Sequence, residues 1–418
     1  MRETTEAAVL LEGSPTDVGA RFGAVNAEDI AAAMESFFQT VQEKEGLSRA
    51  ALVKASRRYQ EQVESFAPHW LPEALALANA AGVDAELFLT FQGAKYRGIN
   101  RPECFSYYSS PRFNTAPVTL LHKNRDNAAR PQCAYRKHVA APGVLAFLAG
   151  ADTSDMGACM ALNEEGLAIV ADTGDPDPHF RQQGMMNTDV LRLIAERAAD
   201  VTEALALLNE VHRARGYAGG RIGTNWMLAD RHGRGARVFQ FHEKLLTTEG
   251  EAGFLVMRDD DPRGKEVSEA LTRARGRVDV ALMNRLSRGK PVLAESNISS
   301  YTAVIPTAGT RLFAHAYFAL GPACAAVYVP LYLGVTATPR PLLDGTLYRA
   351  ATAREANAVE AAIEADRYCT EETARRVLQE EGEEAARRVL TEACLRWTTW
   401  ALRFLQERKL PHDTAAAL

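Results

Sequence analysis

Cys104, Asn124 and Asp126 are the residues whose types and spacing point first to chemistry: a thiol at the start of one extended run, an amide and a carboxylate at the end of the next. The first run, Phe105 to Ser110, is aromatic and small polar; the second, Val118 to His122, is β-branched and apolar; Pro111, Asn114 and Pro117 punctuate the link. This pattern predicts a hairpin. With its turn centred near Asn114, antiparallel pairing sets Cys104 opposite Asn124, and strand alternation puts Asp126 on the same face.

A cysteine nucleophile needs a base, or a helix N-terminus whose dipole lowers its pKa. The residues after Cys104 are strand formers, and the nearest downstream histidine, His122, lies on the returning strand without a recognised partner spacing. A cut between Glu103 and Cys104 supplies another activation. The freed α-amine, with an unperturbed pKa of about 7.7 to 8.0, is then a base on the same residue as a thiol of about 8.5. The plain alternative keeps Cys104 as a buried small hydrophobe, because free cysteine is among the most buried residue types.

A cysteine opening a hairpin whose second strand ends Asn124-Arg125-Asp126 resembles the isopenicillin N acyltransferase (acyl-coenzyme A:6-aminopenicillanate acyltransferase) family of autoproteolytic cysteine Ntn hydrolases. The likeness runs from about residue 10 to about residue 345. The segment from Gly13 to Gly23 is similar to the opening of the family's pro-region, and read by itself it is a capped loop before a helix. Asn163-Glu164-Glu165-Gly166-Leu167-Ala168 resembles a segment shared with the choloylglycine hydrolases. Asn225-Trp226-Met227-Leu228-Ala229-Asp230 looks like the family strand whose asparagine donates to the oxyanion; on residues alone, Asn225 is a turn satisfier.

The resemblance implies further roles. Asp126 orients the α-amine, and an arginine in a Ser-x-x-Arg element faces the nucleophile. Thr272-x-x-Arg275 has that spacing, which makes Arg275 the first choice and Arg273 the reserve; the alternative is that these are solvated helix charges. The chain also departs from the family. Asp172-Thr173 stands where many of the related hydrolases have a helper asparagine, Glu103 where glycine often precedes the cysteine, and Phe105-Ser106 where threonine or serine often follows directly.

The 418 residues have 47% hydrophobic and 24% charged content and a net charge of -5, a balance without the basic excess of a nucleic-acid or anionic-membrane surface. Small molecules are the expected partners. No run approaches the ~20 apolar residues of a membrane span, and the N-terminus lacks an apolar signal core, so a cytoplasmic protein is expected. The six cysteines are scattered without Cys-x-x-Cys, and the five besides Cys104 read as buried fillers. Asp172, Asp175, Asp177 and His179 lack the spacing of an EF-hand loop, and no His-Glu-x-x-His occurs; neither a metal nor a cofactor is expected.

Apolar periodicity predicts helices over 26 to 41, 48 to 66, 72 to 81 and 84 to 92, then strands over 134 to 139, 144 to 148, 158 to 162 and 167 to 170. Helices follow over 187 to 199 and 202 to 212. The glycine-rich 216 to 223 reads as a loop before strands at 224 to 230 and 236 to 241. An arginine-rich helix spans 266 to 286, late strands 302 to 306, 312 to 320 and 325 to 333, and helices 351 to 368 and 371 to 406, the last broken near Gly382. The order suits an α+β four-layer αββα sandwich, as the resemblance implies. Residues 1–103 form a helical pro-region, 104–345 the Ntn-hydrolase-like core, and 346–418 a helical cover that is a candidate homo-oligomer contact.

The expected function is autoproteolytic acyl transfer or amide hydrolysis through a thioester on Cys104. Acyl-thioesters, an acyl-coenzyme A among them, N-acyl amino acids and peptide-like amides are the candidate substrates. The rival is an unprocessed, catalytically silent member that binds an acyl or peptide ligand.

Overall fold

The computed structural model describes residues 7–95, 104–177, 184–217, 222–250, 253–352, 356–408 and 410. The strands in chain order are β1 (Ala8–Val9), β2 (Glu12–Gly13), β3 (Phe105–Ser109), β4 (Val118–Asp126), β5 (Gln132–Val139), β6 (Phe147–Asp152), β7 (Met160–Asn163) and β8 (Leu167–Pro176). They continue with β9 (Ile222–Asp230), β10 (Gly235–Gln240), β11 (Leu245–Glu249), β12 (Phe254–Val256), β13 (Asn297–Pro306), β14 (His315–Leu320), β15 (Tyr328–Tyr332) and β16 (Thr338–Pro339). One sheet has the order β11-β10-β9-β8-β7-β6-β5-β2, a second β12-β3-β4-β13-β14-β15, and β1 pairs with β16 alone. Neighbours are antiparallel except β2, which joins β5 in parallel.

Strand alternation explains the stacking. Met160, Leu162, Val170 and Met227 leave the first sheet on one face and share a core with Tyr301, Ala303 and Phe318 of the second; Tyr301 spans the gap by donating to Ala161 O at 3.0 Å. Tyr135, Ala149, Ile169, Trp226 and Leu228 point the opposite way into a second core. That core is roofed by the N-terminal helices and by the pair Asn187–Arg197 and Val201–Arg213. The far face of the second sheet is covered by Asn357–Glu380 and Glu383–Glu407, through Val359, Ile363, Leu390 and Trp397. Helix, sheet, sheet, helix is the four-layer αββα order expected. Each large side chain buried in it contributes about 1.5 to 3 kcal/mol, which holds each strand to one register.

Several local expectations are corrected. Pro15–Val25 is a helix, started by Ser14 and Asp17 in a capping box with Pro15 at its first turn. Its glycines disguised it: a Cβ on Gly19 would lie 2.2 Å from Glu73 O and one on Gly23 2.3 Å from Leu77 O, so only glycine lets this helix touch the Trp70–Ala81 backbone. The arginine-rich stretch is two helices, Pro262–Arg273 and Val280–Arg288, separated by Gly276 in the left-handed region and restarted by the Asp279 cap. Asn357–Glu380 runs on through the expected break at 368 to 371 and ends at Gly382, φ +92°. β11 and β12 escaped notice; β11 is an edge strand whose side chains are mostly in solvent, so it has no two-sided pattern to detect. Gly223 lies inside β9. Of the five filler cysteines, Cys324 and Cys369 are exposed.

Among the described residues no single helix is long and apolar enough to cross a membrane.

Candidate active site

The β3–β4 hairpin is closed by Asn114. Its Oδ1 accepts from Ser109 Oγ at 2.6 Å, and its Nδ2 donates to Val118 O at 2.7 Å and Ser109 O at 3.3 Å, which ties together the strand ends flanking the turn. Phe105 pairs with Asn124 and Ser109 with Leu120, so the turn centres between Asn114 and Thr115. The expected register is therefore off by one. Continuing the ladder aligns Cys104 with Arg125, while Asn124 pairs with Phe105.

The three residues that close β4 consequently part company. Asn124 faces the Val280–Arg288 helix, donating to Ser287 O at 3.0 Å and accepting from Ser300 Oγ at 2.7 Å. It is not an amide at the thiol. Arg125 crosses between the sheets, its Nη1 and Nη2 on the two oxygens of Asp152 at 2.6 and 3.1 Å. Against the cost of burial, Arg125 and Arg130 hold the Asp152 carboxyl well below the usual carboxylate range. Asp126 accepts from Asn297 Nδ2 at 2.9 Å and lies 3.3 Å from Arg263 Nη1. Burial pushes Asp126 up to about 6, with Asn297 and Arg263 opposing it.

Cys104 directly precedes β3 and is buried, its Sγ 3.5 Å from Asp126 O. Burial pushes the thiol up; Lys123 pulls it down, and Asp172 and Asp126 push it up further. Among the described residues no histidine serves it. His122 is tied to Thr302 Oγ1 at 2.8 Å and Asn124 Oδ1 at 3.1 Å, and burial depresses it to about 3, so the ring stays neutral.

Ser106, two residues along from Cys104 and on the same side by alternation, donates to Asp172 Oδ1 at 2.9 Å. Lys123 Nζ lies 3.3 Å from that oxygen and also donates to the carbonyls of Cys159 and Ala171, which places a buried ion pair between the sheets beside the thiol. Burial raises the Asp172 pKa, while Lys123 and Ser106 favour the carboxylate. Asn225 is the partner of Asp172 across the β8–β9 ladder, and its buried Nδ2 has no hydrogen-bond partner.

The two arginines expected at the nucleophile are directed elsewhere. Arg275 stacks on Phe113, its guanidinium carbon 5.2 Å from the ring centroid, and Arg273 is exposed and paired with Glu269 at 3.3 Å. Arg263, in the first turn of the Pro262–Arg273 helix, reaches Asp126 instead and lies 5.1 Å over the Phe105 ring. The signal for it was Asp261-Pro262, a cap and first-turn pair that starts the helix earlier than the apolar periodicity does. Lys123, a charge between Leu121 and Arg125 in a strand with an apolar start, was the other overlooked cue. Glu103 and His179 lie outside the described residues. Of the acidic run, Asp175 pairs with Arg258 at 3.0 Å and Asp177 accepts from His242 N at 2.5 Å, so both hold loops.

The site thus joins a buried thiol, a cation, carboxyl groups and an unpartnered amide donor.

Similar solved structures include an N-acylethanolamine-hydrolyzing acid amidase ortholog from Caenorhabditis elegans, with 12% identity over 49% of this chain and 94% of that one at a TM-score of 0.39. Penicillin V acylase from Agrobacterium tumefaciens has 12% identity over 55% and 86% at 0.40. A conjugated bile acid hydrolase variant from Clostridium perfringens has 10% over 55% and 92% at 0.39. No curated protein matches the chain. Residues 114–253, a stretch that includes Asp126, Asp172 and Asn225 and begins just after Cys104, match the family model of acyl-coenzyme A:6-aminopenicillanic acid acyl-transferase. That segment is similar to the acyl-coenzyme A:6-aminopenicillanic acid acyl-transferase family.

Proposed function

We propose that this protein is an N-terminal-cysteine acyltransferase or amide hydrolase that matures by cleavage between Glu103 and Cys104. The observation that carries the reading is the pairing of a buried Cys104 thiol, touched by no imidazole among the described residues, with the unpartnered Asn225 amide near the same end of the inter-sheet space. In the mature protein the α-amine of Cys104 takes the thiol proton. The thiolate attacks an amide or thioester carbonyl, and Asn225 Nδ2 with a backbone N–H donor holds the oxyanion. The proton passes from the α-ammonium to the leaving amine or thiol, leaving a thioester on Cys104. Water or an amine then takes the acyl group.

Asp126 is the positioning group for the α-amine, supported by the 3.5 Å contact between Cys104 Sγ and the Asp126 carbonyl. Lys123 is the nearer cation for the thiolate, and Arg263 acts through Asp126. N-acyl amino acids, peptide-like amides and acyl-thioesters are the substrate classes.

Intact-mass measurement and N-terminal sequencing of purified active protein test the reading. Two chains, the larger beginning at Cys104, are expected, and Cys104→Ala should give one inactive chain. An active preparation that is a single uncut chain removes the α-amine mechanism.

A further inference from the structure

Two buried polar atoms beside the nucleophile have no partner in the protein: Asp172 Oδ2 and Asn225 Nδ2. Their residues are 0% and 2% exposed and directly opposed across the β8–β9 ladder, so the side chains leave the sheet next to each other on the face that meets β3 and β4. One is an acceptor and the other a donor. A buried polar group without a partner is destabilising, and at a functional site it marks where something else must bind.

The rest of the Asp172 carboxylate is committed. Ser106 donates to Oδ1 at 2.9 Å and Lys123 Nζ stands 3.3 Å from the same oxygen, with Lys123 itself held by the carbonyls of Cys159 and Ala171. Two donors on Oδ1 fix the carboxylate plane and favour the ionised form, which leaves Oδ2 presenting lone pairs. Ser106 follows Cys104 by two residues on an extended chain, so the carboxylate it holds lies on the thiol's side of the β3 strand.

Resting on the reading of Cys104 as the nucleophile, we propose that Asp172 determines specificity by accepting, through Oδ2, a hydrogen bond from the N–H of the substrate nitrogen next to the scissile carbonyl. The preferred class is then amides that keep an N–H, in place of esters, thioesters and N-alkylated amides. In the tetrahedral intermediate the nitrogen is pyramidal and its N–H can turn toward Oδ2, while the oxyanion stays with Asn225. A site built to pair with an N–H rejects an analogue that lacks it, because its own acceptor is then left buried and unpaired.

The test uses the mature wild-type protein and Asp172→Asn with four matched N-acyl probes: a secondary amide, its N-methyl derivative, and the ester and thioester of the same acyl group. In wild type, kcat/KM for the amide should exceed that for its N-methyl derivative by about 10- to 100-fold. In Asp172→Asn, Ser106 and Lys123 draw the amide oxygen to themselves and the NH2 faces the substrate, so a donor replaces the acceptor. The amide-to-ester ratio should fall by about 10- to 100-fold, whatever loss both substrates share.

A ratio unmoved by Asp172→Asn overturns the proposal, as does a gain on all four substrates, which would make residue 172 an oxyanion donor. If Asp172→Asn does not fold, wild type decides: equal kcat/KM for the N–H and N-methyl amides overturns it. Mass shifts at Cys104 separate the two levels. Acylation of Cys104 by every probe alike defeats only the specificity, whereas failure of every probe to acylate Cys104 defeats the nucleophile reading and this proposal with it.

Discussion

Asn297 donates its side-chain amide to Asp126 Oδ1 at 2.9 Å, and the two residues are paired across the β4–β13 ladder beside a bulge. The same Nδ2 lies 3.2 Å from Arg125 O and from Ser299 O, and Asn297 Oδ1 accepts from Ala323 N at 2.8 Å. The bulge turns Asn297 back onto its neighbour, and its contacts give the carboxylate one orientation. Asp126, already raised to about 6 by burial, loses a donor to its ionised form in Asn297→Ala. If ionised Asp126 orients the α-amine, activity rises with pH through the Asp126 pKa. Asn297→Ala should move that acid limb to higher pH and lower the plateau by about 10-fold, from the ~1 to 2 kcal/mol such a hydrogen bond contributes. The pH profile of kcat/KM for wild type and variant measures it, and superimposable profiles would reject the role.

Asn225→Ala removes a buried amide whose Nδ2 has no partner, so the folded protein should lose little or no thermal stability. Its chemical rate should fall by about 100- to 1,000-fold if that amide meets the oxyanion. Thermal melts and single-turnover acylation separate the two effects. A variant with a lower Tm and an unchanged rate would make Asn225 a structural residue.

Arg263 and Arg275 make opposite predictions for alkylation of Cys104. Arg263→Ala deprives Asp126 of its cation at 3.3 Å, which raises the Asp126 pKa and should shift the pH profile for iodoacetamide reaction. Arg275→Ala loses a stacking contact with Phe113, about 0.5 to 1 kcal/mol at an exposed site, and should leave the profile in place. A shift in Arg275→Ala alone would return the electrostatic role to Arg275.

Glu73, fully buried on the Trp70–Ala81 helix, accepts from Lys137 Nζ at 2.5 Å and from Arg192 Nη1 and Nη2 at 3.1 and 2.5 Å. Burial works against the charge, yet Arg192 and Lys137 bring the Glu73 pKa below its ordinary value. Removing the carboxylate strands the buried Lys137 of the first sheet and leaves Arg192 of the covering helix with Glu196 as its remaining ion-pair partner. Glu73→Ala should destabilise the fold by about 3 to 5 kcal/mol, read as a lowered urea midpoint, and loosen the N-terminal helices from the strands. A loss under about 1 kcal/mol would show that the pair is dispensable.

The hairpin after Cys104 and the alternation of the central strands were legible because side-chain period and turn residues are local properties of the chain. The helix starts expected at 48 and 84 fall on Ser48 and Asp84, each of which accepts from a backbone N–H within its own first turn. The Asp200 cap starts its helix just before the expected 202. The register was not legible. It depends on whether the turn centres on Asn114 or beside it, which the Asn114 hydrogen bonds to Ser109 and Val118 decide. The helix of Gly19 and Gly23 was hidden because propensity disfavours glycine, whereas a helix pressed against the carbonyls of Glu73 and Leu77 requires it. Which arginine meets Asp126 turned on the break at Gly276 and on the start of the Pro262–Arg273 helix, since a helix's phase decides where its side chains point. Lys123, Asp172 and Ser106 meet only when two sheets stack, bringing residues far apart in the chain within 3.3 Å, and no local pattern in the sequence records that contact.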